Sequence, residues 1–477
     1  MLFRSEEQYK NEPWPHIEIQ DACEFIVDCV NKTAPVVDHK TPYRMIRTTN
    51  VREGRINLEE CRYVTEDTYL RWTRRATVED GDVLLTREAP IGEVGYAEGL
   101  GKVFLGQRIM QYRSRPSILQ PRFLFYSFQS HTLTSQFSAH EGSGSVVSHI
   151  RVGDCFKFRV PLPPLPIQQR IASILGTLDD KIALNRRINQ TLEAMAQALF
   201  QSWFVDFDPV KAKQKILGAG GTAREAELAA MQIISGKNPH QLKTFQQTQP
   251  QQYAELEHTA KLFPNRLVES ELGPVPEGWE VSSIGKEVQV LGGGTPSTGN
   301  PEFWENGTIH WTTPKDLSNQ ADKILLSTDR KITEQGLASI TSQLMPIDTL
   351  LMSSRAPVGY LAMAKIPVAV NQGYIAMRCE KTLTPEFVIQ WCSSVMDEIK
   401  QRASGTTFAE ISKKVFGVIQ VLLPNEQIIQ AYSVSVKSIY ASITNNAIQV
   451  QKLTETRDTL LPKLLSGEID ASSLECL

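Results

Sequence analysis

Two stretches of the chain carry apolar side chains in alternating steps of three and four. The first row is Ile171, Leu175, Leu178, Ile182, Asn185, Asn189, Leu192, Ala196 and Leu199. The second is Ile429, Tyr432, Val436, Ile439, Ile443, Asn446, Val450, Leu453, Arg457, Leu460 and Leu464. This is the spacing of a heptad seam. It predicts two long helices, over 164–206 and 425–470, each ~50–60 Å in length at 1.5 Å per residue. An amphipathic helix lying on a domain core has the same spacing, but this length exceeds what one small module can cover. The two helices are therefore expected to pack on each other, antiparallel. Asn185, Asn189 and Asn446 fall inside the apolar rows and are expected to fix the register at some cost in stability.

Elsewhere the pattern changes to short β-type runs between glycine, proline and asparagine turns. These runs occur twice, in one order. DVLLTREAPIG (82–92) matches DTLLMSSRAPVG (348–359), and LGQRIMQYR (105–113) matches VNQGYIAMR (370–378). GSGSVVSHI (142–150) matches ASGTTFAEI (403–411), and LPPLPIQQ (162–169) matches LLPNEQII (422–429) before each long helix. Such order implies an internal duplication. The predicted fold is α+β: two pseudo-repeated mixed α/β modules, 1–163 and 271–424, joined by the two antiparallel coiled-coil helices. A tail covers 471–477. Between the first helix and the second module, 207–270 reads as a partly ordered linker with short helices. AREAELAAMQ (223–232) is predicted helical and KTFQQTQPQQY (243–253) loop-like.

Composition narrows the function. The formal charge of −3 over 477 residues argues against a uniformly basic nucleic-acid coat. It leaves room for a local basic groove, because charges act over a Debye length of ~8–10 Å. The seven cysteines are scattered without a CxxC pair, so reduced structural thiols are expected rather than zinc ligands or a disulfide framework. MLFRSEEQYK lacks an apolar signal core, and no window approaches 18 consecutive apolar residues; a soluble cytoplasmic protein without a membrane role is expected.

Catalytic signatures are missing. There is no P-loop, dinucleotide fingerprint, nucleophile elbow or zinc-protease motif. Asn300-Pro301-Glu302-Phe303 departs from the uncharged turn used in adenine methylation. The chain reads as non-catalytic, with no metal and no cofactor of its own. What remains is polar loop chemistry of the kind that reads base edges and holds phosphates. In the first module the candidates are Arg44, Arg47, Asn50, Arg52 and Arg55, then Arg87, Gln107 and Arg108, then Ser143, Ser145 and His149. In the second they are Thr295, Ser297 and Lys315, then Ser353, Ser354 and Arg355, then Asn371 and Gln372, and finally Ser404, Thr406 and Thr407. Phe200, Trp203 and Phe204 in FQSWF, with Leu461 and Leu465, form apolar patches expected to contact partner proteins.

Several longer motifs carry a family resemblance. PLPPLPIQQRIASILGTLDDKI (161–182), LFQSWFVDFDPVKAK (199–213), LFPNRLVESELGPVPEGWE (262–280), GGGTPSTGNPEFWENGTIHWTTPKDL (292–317) and TRDTLLPKLLSGEI (456–469) together resemble the DNA-specificity (S) subunit of type I restriction–modification systems. The likeness spans nearly the whole chain. Ile167 departs from it, standing where a glutamate is usual, as does a linker around 214–260 longer than the repeat requires. The resemblance implies two target-recognition domains, each reading half of a split double-stranded DNA target, with the helices as a ruler. It further implies two modification subunits carrying S-adenosylmethionine, and motor-nuclease restriction subunits. A two-module protein-interaction scaffold without DNA binding is the rival expectation.

Overall fold

The computed structural model describes residues 13–139, 149–318, 320, 322–405 and 409–473. The chain divides into two compact units: residues 1–182 with 452–477, and residues 183–451. Each unit holds one module and one end of each long helix.

In the first unit, short β-type runs build a four-stranded antiparallel sheet whose central strands are buried at consecutive positions. Its order is Cys23–Asp28, Ile109–Ser114, Val83–Arg87, Ile91–Tyr96. A second sheet places Arg44–Ile46 between Arg62–Tyr63 (antiparallel) and Val103–Leu105 (parallel). Helix Pro121–Phe128 opens on Gln120, whose side chain accepts the Phe123 N–H, and it buries Phe123 and Phe128 beside Tyr112, Phe137 and Phe158. Burying aromatic side chains of this size contributes about 1.5–3 kcal/mol each.

The second unit repeats the plan. Its five-stranded sheet runs Gln289–Leu291, Tyr374–Arg378, Leu350–Ser353, Leu361–Ala364, Ile324–Leu325. The smaller sheet again pairs its central strand, Ile309–Thr312, antiparallel with Arg330–Ile332 and parallel with Val368–Val370. Helix Pro385–Ser394 opens on Thr384, which accepts the Phe387 N–H, so Phe387 is the counterpart of Phe123. Both modules close with the same kind of antiparallel pair, His16–Glu18 with Arg159–Pro161 and Glu280–Ser283 with Gln420–Leu423.

The long helices span Leu165–Phe200 and Glu426–Leu465, within the predicted ranges. Within each unit their segments pack antiparallel. In the first, the Arg457 guanidinium donates to Asp179 Oδ1 at 2.8 Å, and Tyr126 Oη donates to Asp179 Oδ2 at 2.7 Å. One carboxylate therefore ties module, first helix and second helix together. Gly176 has its own packing reason: a Cβ there would lie 2.9 Å from Arg122 Nη1, and Arg122 lies along the helix to reach Asp180. In the second unit, Glu193 Oε1 accepts from Lys323 Nζ at 2.7 Å and Gln390 Nε2 at 2.9 Å, and Gln390 also donates to Tyr440 Oη at 2.8 Å. The seam asparagines bond across the helix pair. Asn185 donates to Gln449 Oε1 (3.2 Å), Asn189 to the Ile443 carbonyl (3.1 Å), and Asn446 to Asn189 Oδ1 (2.9 Å). A one-turn slip would leave the buried amides of Asn185 and Asn189 unpaired.

The linker departs from expectation. Residues 208–262 fold into four helices, Asp208–Gly218, Ala223–Ser235, Pro239–Thr248 and Pro250–Leu262. KTFQQTQPQQY is helical on both sides of Gln249, because the Asn238–Gln241 capping box starts one helix and Pro250 occupies the first turn of the next. The insertion has its own core of Ala230, Met231, Leu242, Tyr253 and Ala260. Lys213 is buried and donates its ammonium to the terminal carbonyls of Ala260 (3.3 Å) and Phe263 (2.5 Å), favourable partners for a cation at a helix C-terminus; burial nevertheless lowers its pKa.

Candidate nucleic-acid interface

The two modules share the same hydrogen bonds around one turn. Thr86 Oγ1 donates to the Pro90 carbonyl (2.7 Å) and accepts the Glu93 N–H (3.0 Å). Ser353 Oγ does the same with Pro357 (2.7 Å) and Tyr360 (2.8 Å). In both turns the alanine before the proline lies at positive φ, 50° at Ala89 and 53° at Ala356. The Arg87 N–H donates to the Arg108 carbonyl and the Ser354 N–H to the Gly373 carbonyl, each at 2.8 Å. Ile150 and Ile411 each donate a backbone N–H, to Arg87 O and Ser354 O, at 3.0 Å. These bonds make Arg87 equivalent to Ser354, Gln107 to Gln372, Arg108 to Gly373 and His149 to Glu410.

In the first module, Arg87, Gln107, Arg108 and His149 line one pocket of about 470 Å³. Glu88, Asp28 and Arg151 add further charged groups to its lining. Sequence reasoning missed these three, although Glu88 sits inside the repeated turn and Arg151 two residues beyond His149. Arg108 is exposed, its Nε 3.1 Å from Glu88 Oε2. Arg87 is tied inward, donating Nη1 to the Ile150 carbonyl at 2.9 Å.

The arginines between 44 and 55 do not line this pocket. Arg44 donates to the Leu100 carbonyl (2.7 Å), Arg47 to Glu60 O (2.9 Å), and Arg52 to Thr48 O and Val51 O (3.0 Å each). Asn50 is 3% exposed and accepts the Arg47 N–H. Arg55 faces Arg52 across the hairpin. Arg44, Arg47 and Arg52 each give a donor to a backbone carbonyl and Asn50 is buried, so these residues stitch loops together within the module. Ser143 and Ser145 lie outside the described residues.

In the second module the exposed polar groups gather around the equivalent turn. Thr295 Oγ1 donates to Gln372 Oε1 at 2.7 Å, Asn371 Oδ1 accepts the Gly373 N–H at 2.9 Å, and Arg355 faces Glu410 at 3.7 Å. Ser404 is exposed and exchanges backbone hydrogen bonds with Glu410. Ser297 is exposed on a loop and Lys315 on the short helix Pro314–Ser318. Ser353 is fully buried inside the turn, so its expected contact with DNA is corrected to a structural one; Ser354 is 3% exposed. Thr406 and Thr407 lie outside the described residues. The glycine run at 292–294 also serves the fold: a Cβ on Gly293 would sit 1.7 Å from the Val370 carbonyl oxygen.

The apolar patches expected to meet partners are corrected as well. Phe200, Trp203 and Phe204 are 3%, 1% and 7% exposed, buried with Phe263, Trp279, Phe387 and Tyr432 in the core of their own unit. Leu465 is buried and Leu461 packs against the first unit's core. The chain supplies its own cover for FQSWF. The exposed large apolar side chains on the first helix are Leu184, Ile188 and Met195, of which Ile188 and Met195 are also expected, off the seam, to face partners.

The described cysteines are free, and burial pushes the thiols of Cys23, Cys155 and Cys379 up to about 12, which leaves them unreactive near neutral pH. Among the described residues no group of three or more His, Cys, Asp or Glu can hold a metal, and no helix is long and apolar enough to cross a membrane.

The family model described as the type I restriction modification DNA specificity domain matches residues 11–194 and 276–452, once over each module and its helix. The chain belongs to this family. It is 35% identical over 407 residues to the HindI specificity subunit of Haemophilus influenzae, covering 83% of this chain and 88% of that one. It is 23% identical over 402 residues to the MjaIX specificity subunit of Methanocaldococcus jannaschii, covering 83% and 79%. The fold is similar to that of the type I S subunit from M. genitalium, with a TM-score of 0.53 over 95% of this chain and 96% of that one at 14% identity. As a family member with two such modules, the chain is a DNA-recognition subunit with two recognition domains, working with restriction–modification subunits. The scaffold alternative is not favoured.

Proposed function

We propose that each recognition domain reads one half of a two-part duplex target and that the paired helices set the gap between the halves. The observation that carries this reading is the repeated turn, which keeps its backbone bonds in both domains while Arg87, Arg108 and His149 give way to Ser354, Gly373 and Glu410. A common frame with different side chains is what two different half-sites require. Helices of 36 and 40 residues are about 54 and 60 Å long, sufficient for half-sites one helical turn apart, ~34 Å.

The chain itself performs no catalytic step in this reading and works in the cytoplasm. Two modification subunits supply S-adenosylmethionine, and motor-nuclease subunits join them. We assign the docking of a modification subunit to the exposed stripe Leu184, Ile188 and Met195, 44%, 39% and 50% exposed, whose spacing puts them on one helix face.

Methylome sequencing of a host carrying this chain with its modification partner tests the reading. A two-part motif with a fixed gap is expected; a continuous motif or no methylation contradicts it. Inserting one heptad into both helices should change the gap and leave both half-sites unchanged. Duplex binding that weakens steeply with salt separates this function from a protein scaffold.

A further inference from the structure

We propose that the pocket beside Arg108 is the base-reading pocket of the first recognition domain, and that the Arg108 guanidinium reads a guanine there. The inference rests on the DNA-reading function above and adds the residue and the base.

Three observations converge on Arg108. Its backbone is held at φ 72°, a region that non-glycine residues occupy at a cost and that clusters at binding sites. Its counterpart in the second domain is glycine, so the frame does not call for a side chain here. Its Nε is held 3.1 Å from Glu88 Oε2 while the side chain stays 51% exposed, and no described residue takes its two terminal nitrogens. An arginine oriented by a carboxylate at one edge presents its fork in a fixed plane, the geometry that matches guanine O6 and N7.

The surroundings suit that base. Gln107 and His149 line the same pocket. Arg87 turns its own fork onto the Ile150 carbonyl and adds charge to the wall. In the second domain Gly373 offers no fork, and Gln372, its oxygen already accepting from Thr295, is left with amide donors. The two domains therefore present different donor sets from one backbone position.

The test uses the full chain assembled with its modification partner, in wild-type, Arg108→Gly and Arg108→Lys forms. Glycine relieves the positive φ, so folding is preserved; lysine keeps the charge and removes the fork. Binding is measured on the methylome-defined site and on duplexes with each base pair substituted in turn. Arg108→Gly is expected to weaken the wild-type site about 5- to 150-fold and to abolish discrimination at one guanine of one half-site, leaving the other half intact. Arg108→Lys should lose the same discrimination while keeping a salt dependence close to wild type. Uniform weakening over all sequences with full discrimination retained identifies a phosphate contact and overturns the proposal. Unchanged binding, or a wild-type motif whose affected half contains no guanine, also overturns it. A wild-type assembly that methylates no two-part motif overturns the underlying reading, and this proposal with it.

Discussion

The two recognition domains are most alike where they are buried and least alike where a ligand can reach them. Thr86 and Ser353 make the same two bonds inside the same turn, and Phe123 and Phe387 occupy the same place on equivalent helices. A few ångströms away, Arg108 faces Glu88 in one domain while Gly373 stands in the other. Duplication preserved the bonds that hold the turn and released the side chains that project from it. The comparison teaches that the unit of inheritance is a backbone platform, and that reading is a surface property laid over it.

Equal frames should fail equally. Phe123→Ala and Phe387→Ala, at 0% and 1% exposure, are each expected to cost about 3–5 kcal/mol. Urea denaturation with hydrogen exchange to assign the loss should find each effect in its own domain; a mild effect in one of them would break the equivalence.

The helix anchors come next. Asp179→Ala strips a partner from Arg457 and Tyr126, and Glu193→Ala strips one from Lys323 and Gln390. Each is expected to cost about 1–3 kcal/mol by removing an acceptor that two elements share, with Tyr126 and Gln390 buried at the junction, read as lower midpoints in the same denaturation experiment. A larger loss for one anchor would show that one domain depends more heavily on its helix than the other.

The smallest effect is expected at the turns. Thr86→Val and Ser353→Ala each remove a hydroxyl serving one carbonyl and one N–H, for about 1–2 kcal/mol. Hydrogen exchange at Glu93 and Tyr360 should accelerate by similar factors. Acceleration at only one of them would mean that the turns, though alike in geometry, are supported differently.

Much of this comparison was legible in the sequence. The repeated motifs gave the equivalences, and the heptad rows gave both helices together with the role of Asn185, Asn189 and Asn446, because local spacing determines which residues share a helix face. The fate of the arginines was hidden. Arg44 finds its carbonyl 56 residues away and Arg87 finds its own 63 residues away, so no local pattern separates a stitching arginine from one that faces a pocket. FQSWF was legible as apolar but not as internal, since its cover comes from Phe263, Trp279, Phe387 and Tyr432. Within the 208–262 insertion, expected to carry short helices, only 243–253 looked loop-like, because its glutamines mask Phe245 and Tyr253, which pack into a small core with Leu242 and Met231.

The central claim, that two separate readings rest on one frame, is tested most directly by replacing residues 1–163 with the corresponding domain of a relative of different specificity and sequencing the methylome. The account predicts that one half-site changes while the other half and the gap stay as they were. A change in both halves, or a new gap with the helices untouched, would contradict it.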